Sequence, residues 1–378
     1  MYQEEHEIFR RGFRKFIEAE LIPHLNEWEE NQEIPRSVWK RFGELGFLCP
    51  WLDEKYGGVG ADFLYEVIID TELAKAGIGI AMSLHSGIVA PYINSFGTEE
   101  QKEKWLPGCT TGDTLLAVAM TEPNAGSDLQ AIKTTAIKDG DEYVLNGQKT
   151  FITNGVDADL FIVACRTDPK AMPPGKGMSL IIVEDGTPGF IKGQKLKKMG
   201  LHTHGTSELY FENCRVPVGN LLGQEGKGFN YMMQKLQQER LLSCIEAQSL
   251  AERILEDASD YAKTRHAFGK PIGDFQYNAF KIAEMATEVE IGRTFVDSLI
   301  ADHIQGKDIV IKVSMAKLWT TEMVNRIAYH CLQLYGGYGY MEEYPISRFY
   351  RNARVMTIYA GTSEIMKTII ARNLGFKS

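Results

Sequence analysis

The run EYVLNGQKTFITNG, residues 142–155, decides the fold class, because it interrupts a chain whose pattern is otherwise helical. Its branched and aromatic residues end at an Asn-Gly pair, which is typical of a strand followed by a tight turn. Three similar runs follow: ADLFIVACRT (158–167), GMSLIIVED (177–185) and SELYFENCRVP (207–217). Together these runs predict a small β domain between about residues 115 and 222.

The chain on both sides of these runs has apolar residues at intervals of three and four, which predicts helices. Residues 4–111 are helical in pattern, with breaks at IPRSVW, KYGGVGAD and FGTEEQKEKWLPG. Three long amphipathic segments (229–265, 275–305 and 309–334) and a shorter helix after Thr362 predict a C-terminal helical bundle. The predicted order is therefore α, β, α.

The composition excludes several classes of protein. A net charge of −9 over 378 residues gives no electrostatic reason to expect a nucleic acid or an anionic membrane as partner. The six cysteines are scattered without a CxxC pair, so we expect reduced thiols rather than a metal site or a disulfide framework. No apolar run is long enough for a membrane span, and the N-terminus lacks the apolar core of a signal peptide, so we expect a cytoplasmic protein.

Two loops at the β domain have the composition of a binding site. AMTEPNAGSDLQ (119–130) combines Pro123, Gly126 and polar capping residues, and can present N–H and O–H groups to a planar heteroaromatic or a carbonyl. In KTFITNG (149–155), Phe151 can lie against a cofactor ring while Thr153 bonds to it. The alternatives are an ordinary solvent loop for the first and a core aromatic for the second.

Two further segments belong to the predicted bundle. In KTRHAFGKPIGDFQ (263–276), Arg265 and Lys270 can hold a pyrophosphate, or can instead complement the dipole of a helix end. In CLQLYGGYGYMEEYP (331–345), paired glycines allow a cofactor or subunit to approach, or end a helix before a packed aromatic loop. His202 and His204 have no third ligand at metal-binding spacing and are interpreted as loop residues.

The stretch TIYAGTSEIM (357–366) near the end of the chain predicts a turn followed by a helix. Ala360 in this turn has no side-chain group that could act as an acid or a base. A base can come instead from MMQKLQQERLLSC (232–244), where Glu239 shares a helical stripe with Met232, Leu236 and Leu242. Such a carboxylate should be partly desolvated, which raises its pKa. The alternative is an exposed Glu239 paired with Lys235.

Taken in this order, these segments resemble the acyl-CoA dehydrogenases over essentially the whole chain. The stretches that carry the resemblance are AMTEPNAGSDLQ, FITNG, TRHAFGKPIGDFQ, QLYGGYGY and AGTSEIM. SLHSGIV, KKMGLHTHGTSELYFENCRVP and EIMKTIIAR look most like the long-chain branch. The resemblance implies an α+β fold with an N-terminal all-α domain (1–114), a middle β-barrel-like domain (115–224) and a C-terminal four-helix bundle (225–378).

The resemblance also addresses the missing base. Most members have Glu at the position of Ala360, whereas the long-chain and isovaleryl branches take the base from the first bundle helix in an ERL context. QQERLL matches that context and implies Glu239 as the catalytic base. The main-chain N–H at Ala360 would still donate a hydrogen bond to the thioester carbonyl.

By resemblance, the cofactor is FAD, and its contacts divide into groups. The residues around the flavin ring would be Ala119, Met120, Thr121, Gly126, Ser127, Phe151, Ile152 and Thr153. Thr362 and Glu364 would lie near the flavin or its adenosine part. The residues that reach the FAD of a neighbouring subunit, in a homotetramer built as two dimers, would be Arg265, Phe268, Gln276, Gln333, Gly336 and Gly337. The substrate contacts would be Ser127, Asn230, Arg240, Ala360 and Gly361.

Two positions depart from the family pattern. Phe151 stands where many members have Trp, and Asn124 replaces a common Gly in the first loop. The implied function is FAD-dependent α,β-dehydrogenation of a medium- or long-chain acyl-CoA in fatty-acid β-oxidation, with an electron-transferring flavoprotein as acceptor and a bacterial source. The alternatives are a short branched-chain (isovaleryl-type) enzyme, an acyl-CoA oxidase, and a flavin-binding relative without catalytic activity.

Overall fold

The N-terminal part of the chain is a cluster of helices around an aromatic core. A computed structural model describes residues 1–377. Phe13, Trp39 and Phe42 are buried at the centre of the cluster. The helices are α1 (Glu4–Phe16), α2 (Leu25–Asn31), α3 (Arg36–Glu44), α4 (Phe63–Ala76), α5 (Ala90–Phe96) and α6 (Glu99–Thr111), and π-helices lie at Ile17–Leu21 and Ser83–Val89.

The middle part is one sheet of eight strands. The strands β1 to β8 are Leu116–Ala119, Thr135–Asp139, Glu142–Ile152, Leu160–Arg166, Met178–Glu184, Phe190–Lys195, Ser207–Pro217 and Leu221–Leu222. They lie in the order β6-β7-β3-β2-β4-β5-β8, and β1 pairs in parallel with β4. β4 and β5 are buried along almost their whole length, so both faces of the sheet are covered there.

The C-terminal part is a bundle of three long helices and two short ones. A two-strand hairpin of β9 (His266–Ala267) and β10 (Lys270–Pro271) connects the first two long helices. The helices are α7 (Gly228–Thr264), α8 (Gln276–Ile304), α9 (Val310–Tyr335), α10 (Pro345–Ala353) and α11 (Ser363–Asn373). The predicted α, β, α order and the three long bundle helices are confirmed.

The prediction missed two helices. In FGTEEQKEKWLPG the break is confined to Gly97 and Thr98, between α5 and α6. The rest of the run is helical, because Thr98 and Gln101 form a capping box that starts α6. α10 starts at Pro345, where proline is well tolerated in a first turn, and Ile346 and Phe349 face the core. None of the helices in residues 1–377 combines the length and the apolar character of a membrane-spanning segment.

Candidate active site

Glu239 lies on the face of α7 that packs inward. Met232, Leu236 and Leu242 on the same stripe are buried, as the spacing predicted. The Glu239 residue as a whole is half-buried, whereas its Oε2 atom is out of contact with solvent and accepts no hydrogen bond from any described residue. The alternative pairing with Lys235 is wrong, because the Lys235 Nζ donates to Ser95 Oγ at 2.6 Å.

The electrostatics around Glu239 suit a general base. Burial raises the pKa of Glu239 to about 7, although the positive charges of Arg240 and Lys317 oppose the rise. Tyr92 on α5 also faces this carboxylate: burial first, and then the charge of Glu239, raises the pKa of Tyr92 well above its ordinary value. Two ionisable groups, one half-buried and one buried, therefore share this side of α7.

The closing turn, which contains Ala360 and Gly361, lies against α7. Ala360 and Gly361 both have left-handed backbone conformations, with φ of +53° and +97°. The Arg240 Nε donates to the Ala360 carbonyl at 3.3 Å, and a Cβ added to Gly361 would lie 2.7 Å from Met366 Cε. The structure thus brings Arg240, Ala360 and Gly361 together, and Lys317, which donates to Gly361 O, also acts on Glu239 through its charge.

The turn continues directly into α11. The Thr362 side chain caps this helix by accepting from the Ile365 N–H at 3.3 Å, and Glu364 stands exposed in its first turn. A shallow cavity of about 280 Å³ opens beside the helix start, lined by Glu322, Asn325, Arg354, Thr357, Ile358, Thr362, Ser363 and Glu364. Thr362 and Glu364 therefore border a surface that could receive part of a ligand.

The first loop of the β domain is tied to the end of β3. The Thr150 N–H donates to Thr121 O at 3.0 Å, and the Thr121 hydroxyl donates back to Thr150 O. This places Thr121 beside Thr150 at the end of β3, and Ala119 belongs to the same buried cluster as Ile152. Asn124 needs no left-handed backbone, and the Glu122 and Ala125 main chains bond to each other around it, so the turn closes without the glycine.

A buried ion pair holds this loop in place. Lys149 is fully buried, and its Nζ lies 2.9 Å from Glu122 Oε1 and donates to Met120 O at 3.0 Å. Glu122 also accepts from the Lys133 and Thr134 N–H groups. Burial alone would raise the pKa of Glu122, but Lys149 and these hydrogen bonds hold it below its usual range.

We predict that Lys149→Met loosens this loop. The change leaves the Glu122 carboxylate buried without its counter-charge, which typically lowers the free energy of unfolding by roughly 3 to 5 kcal/mol. We expect a lower thermal midpoint, together with loss on gel filtration of the FAD that the resemblance implies. The control is Arg215→Ala, which removes two exposed ion pairs in the same sheet, with Asp139 and Glu142, and should change stability far less. Equal stability of the two variants would contradict the anchoring role.

Phe151 has a side chain that is exposed to solvent and is not part of the core. Its side chain is 71% exposed and its φ is +58°, an uncommon conformation for a bulky residue. The alternative of a core aromatic is therefore wrong. Gly126 and Ser127 are exposed in the facing loop and Thr153 is half-buried. An exposed aromatic ring beside polar main chain and hydroxyl groups fits a planar ring system such as flavin.

The other predicted contacts lie apart from Glu239. Asn230 is exposed nine residues earlier on α7, which is about 13 Å along a helix. The residues predicted to reach the FAD of a neighbouring subunit are exposed around the end of the bundle: Arg265, Phe268, Gln276, Gln333, Gly336 and Gly337. Arg265 lies over the Tyr338 ring there, at 5.7 Å from its centre. No hydrogen bond between described residues connects this group to Glu239.

His202 and His204 form no metal site in the described part of the chain. The His202 Nδ1 lies 3.5 Å from Glu29 Oε2, which joins this loop to the N-terminal helices.

Sequence reasoning missed three residues at the site. Lys317 on α9 donates to Gly361 O, Tyr92 faces Glu239, and Tyr359 donates from its hydroxyl to Glu246 Oε2 at 3.2 Å. A signal existed for the first: Lys317 falls on the same helical stripe as Val313, Thr320 and Val324, which are buried.

Known proteins of one family match the chain over nearly its full length. Models of the acyl-CoA dehydrogenase N-terminal, middle and C-terminal domains match residues 3–113, 117–214 and 226–375. The chain is 48% identical to the mitochondrial long-chain specific acyl-CoA dehydrogenase of Mus musculus, over 99% of this chain and 87% of that protein. It is 41% identical to an acyl-CoA dehydrogenase of Bacillus subtilis, over 98% of each. The crystal structure of an acyl-CoA dehydrogenase from Geobacillus kaustophilus is 59% identical with a TM-score of 0.98, over 99% of each chain.

Proposed function

The chain belongs to the acyl-CoA dehydrogenase family of FAD flavoproteins, and we propose from this premise that it oxidises a medium- or long-chain acyl-CoA to the trans-2-enoyl-CoA in fatty-acid β-oxidation. One observation carries the proposal: Glu239 has a solvent-shielded, unpartnered oxygen and lies next to Arg240, which bonds the closing turn. A carboxylate in that state can accept a weakly acidic proton.

Glu239 acts as the base in this proposal. With a pKa of about 7, the side chain is a stronger base than an ordinary glutamate and is still substantially ionised near neutral pH. Its Oε2 atom would take the proton from the carbon next to the thioester carbonyl. Arg240 and Lys317 keep enough positive charge nearby to favour the ionised state before the substrate binds.

The closing turn supplies the second requirement, which is stabilisation of the negative charge that develops on the carbonyl oxygen. The Ala360 N–H donates to no acceptor in residues 1–377, so it is available to a ligand. The Arg240 hydrogen bond to Ala360 O helps to fix the turn. A pre-positioned N–H donor of this kind is typically worth a factor of 10² to 10³ in rate.

The exposed Phe151 ring and the main chain of residues 119–121 support a flavin site beside these groups. Bound FAD would accept the β-hydrogen as hydride. Ser127 and Thr153 would orient the cofactor, and Thr362 and Glu364 would border its adenosine side. An electron-transferring flavoprotein would reoxidise it, in a bacterial cytoplasm where the six buried cysteines stay free.

A homotetramer is part of the proposal. Large apolar side chains are exposed on α8 and on the loops at the bundle end: Phe268, Tyr277, Phe280, Ile291 and Tyr340. Exposed apolar side chains of this size favour burial against another copy. There Arg265, Gln276, Gln333, Gly336 and Gly337 could reach the FAD of a neighbouring subunit. Light scattering should give the mass of four 42.5 kDa chains, and a monomer mass would oppose this part.

The acyl chain would lie between the π-helix Ser83–Val89, α5 and α7. Leu84, Ile88 and Phe96 are half-buried there and, like Met120 of the flavin loop, pack against the cluster that contains the buried Tyr92. Apolar side chains that remain partly accessible are what an aliphatic chain would cover. The resemblance to the long-chain branch favours a long substrate, whereas the location of the base is equally compatible with a short branched one.

Anaerobic titration of the flavin with acyl-CoAs tests the proposal. The ladder runs from butyryl- to stearoyl-CoA and includes isovaleryl-CoA, and the readout is bleaching of the flavin absorbance. We expect bleaching that is fastest with medium or long straight chains. If only isovaleryl-CoA bleached the flavin, the substrate would be a short branched acyl-CoA instead of a medium- or long-chain one. If no acyl-CoA bleached the flavin, the proposal would be overturned. Oxygen consumption without an added acceptor would point to an oxidase.

A further inference from the structure

Lys317 is a buried cation whose role is not explained by helix packing. It lies in the first half of α9 with a relative exposure of 0%, and its Nζ donates to the main-chain carbonyl of Gly361 at 2.7 Å. Burying an ammonium group is costly unless it is paired or strongly hydrogen-bonded. Here the bonded partner is a carbonyl of the closing turn instead of a carboxylate.

The turn that Lys317 contacts is held by its carbonyl groups. Ala360 and Gly361 both have positive φ, and left-handed backbone at a non-glycine residue persists only where the surroundings enforce it. Arg240 from α7 donates to Ala360 O, and Lys317 from α9 donates to Gly361 O. Two cations from two helices therefore fix two successive peptide groups, while the Ala360 N–H has no acceptor in the described chain.

The Tyr359 side chain completes this arrangement. Its hydroxyl donates to Glu246 on α7 at 3.2 Å, and the Lys317 Nζ lies 6.0 Å from the centre of its ring. The three consecutive residues 359–361 are thus bound to α7 and α9. Such a turn has little freedom to change the direction of its N–H groups.

We propose that Lys317 is a positioning residue, which holds the Ala360–Gly361 turn so that the Ala360 N–H meets the thioester carbonyl oxygen. This inference rests on the proposed function, in which that N–H stabilises the developing charge. Lys317 itself touches neither substrate nor base in this account. It acts through the geometry of the turn.

The charge of Lys317 gives a second, measurable effect. The groups that interact with it are Cys244, Arg240 and Glu239 on α7, Glu322 on its own helix, Glu364 on α11, and the Tyr359 ring. Burial lowers the pKa of Lys317 to about 8, so the group is still mostly protonated at pH 7. Its charge is one of two that lower the pKa of Glu239, and Tyr92 is the further titratable group on that side. Removing the charge should raise the pKa of Glu239.

Lys317→Met tests the proposal, with Lys317→Arg as the conservative variant. Ser314→Ala is the matched control, since Ser314 is equally buried one turn earlier on α9 and bonds only to its own helix. Three quantities are measured on the FAD-bound proteins. They are the rate of flavin reduction by acyl-CoA against pH, the infrared carbonyl stretch of a bound, carbonyl-labelled trans-2-enoyl-CoA, and the thermal midpoint.

We expect Lys317→Met to fold, because a buried charge replaced by an apolar side chain of similar size is often neutral for stability. The reduction rate should fall by about 10- to 100-fold. The carbonyl stretch should move toward that of free thioester, and the acid limb of the pH profile should move to higher pH. Lys317→Arg should recover most of the rate, and Ser314→Ala should match the parent.

Two results would overturn the proposal. One is a Lys317→Met protein with the parent's rate, carbonyl frequency and pH profile. The other is a slower protein with an unchanged carbonyl frequency and profile but a lower thermal midpoint, which would mark a purely structural lysine. Failure of the proposed function looks different: either the parent is not reduced by any acyl-CoA, or Glu239→Gln is reduced as fast as the parent while Lys317 is intact.

Discussion

Glu239→Gln should leave the flavin oxidised when acyl-CoA is added, with reduction slowed by at least about 1,000-fold. Glutamine keeps the size and the hydrogen-bonding groups of the side chain but cannot accept the α-proton. The substrate should still bind, because Arg240 and the closing turn are unchanged. Anaerobic stopped-flow spectroscopy measures the reduction, and the perturbed flavin spectrum of the complex measures binding.

The matched control for this variant is Glu66→Gln. Glu66 on α4 is also a buried glutamate without hydrogen-bond partners among the described residues, and burial raises its pKa to about 8, so it is mostly neutral at pH 7. Replacing it with glutamine changes no charge, and we expect the parent's rate. If acyl-CoA reduced the flavin of Glu239→Gln at the parent's rate, another group would have to accept the α-proton. The proposed base would then be wrong.

The second large effect is pH dependence. Because the pKa of Glu239 in the free protein is about 7, the rate of flavin reduction at limiting acyl-CoA should fall about tenfold for each pH unit below that value. Near pH 5 the loss should reach about 100-fold relative to the alkaline plateau. A profile that stays flat down to about pH 5 would contradict a desolvated glutamate as base.

The same pKa has a consequence for stability. A carboxyl whose pKa is raised from 4.5 to about 7 by folding stabilises the fold when protonated, and this stability is fully present below about pH 4.5 and lost as the pH rises through about 7. Glu239→Gln removes the ionised group. The variant should therefore be more stable than the parent at about pH 8, by up to about 3 kcal/mol, and should match it at low pH. Thermal unfolding at the two pH values measures the difference.

The parts of the site that lie on one helix could be predicted from the sequence. The spacing of Met232, Leu236, Glu239 and Leu242 fixed the buried face of α7, because helical periodicity is a local property. The same reasoning applied to α9 would have found Lys317. The start of α6 was also readable, since Thr98 and Gln101 have the spacing of a capping box.

The parts that depend on contacts between distant segments could not be predicted. The positive φ of Ala360 is held by Arg240 and Lys317, which are 120 and 43 positions away, respectively. The exposure of Phe151 follows from how β3 ends against the loop at Thr121, and the strand pattern alone favoured a core aromatic. Backbone strain of this kind is set by tertiary packing and leaves little trace in local sequence.

A crystal structure of Glu239→Gln with a bound acyl-CoA tests the central claim most directly, because this variant should hold the substrate without consuming it. We expect an oxygen or nitrogen of the Gln side chain to lie within about 3.5 Å of the carbon next to the thioester carbonyl, with the Ala360 N–H donating to the carbonyl oxygen. A side chain turned into solvent, with another carboxylate nearer to that carbon, would contradict it.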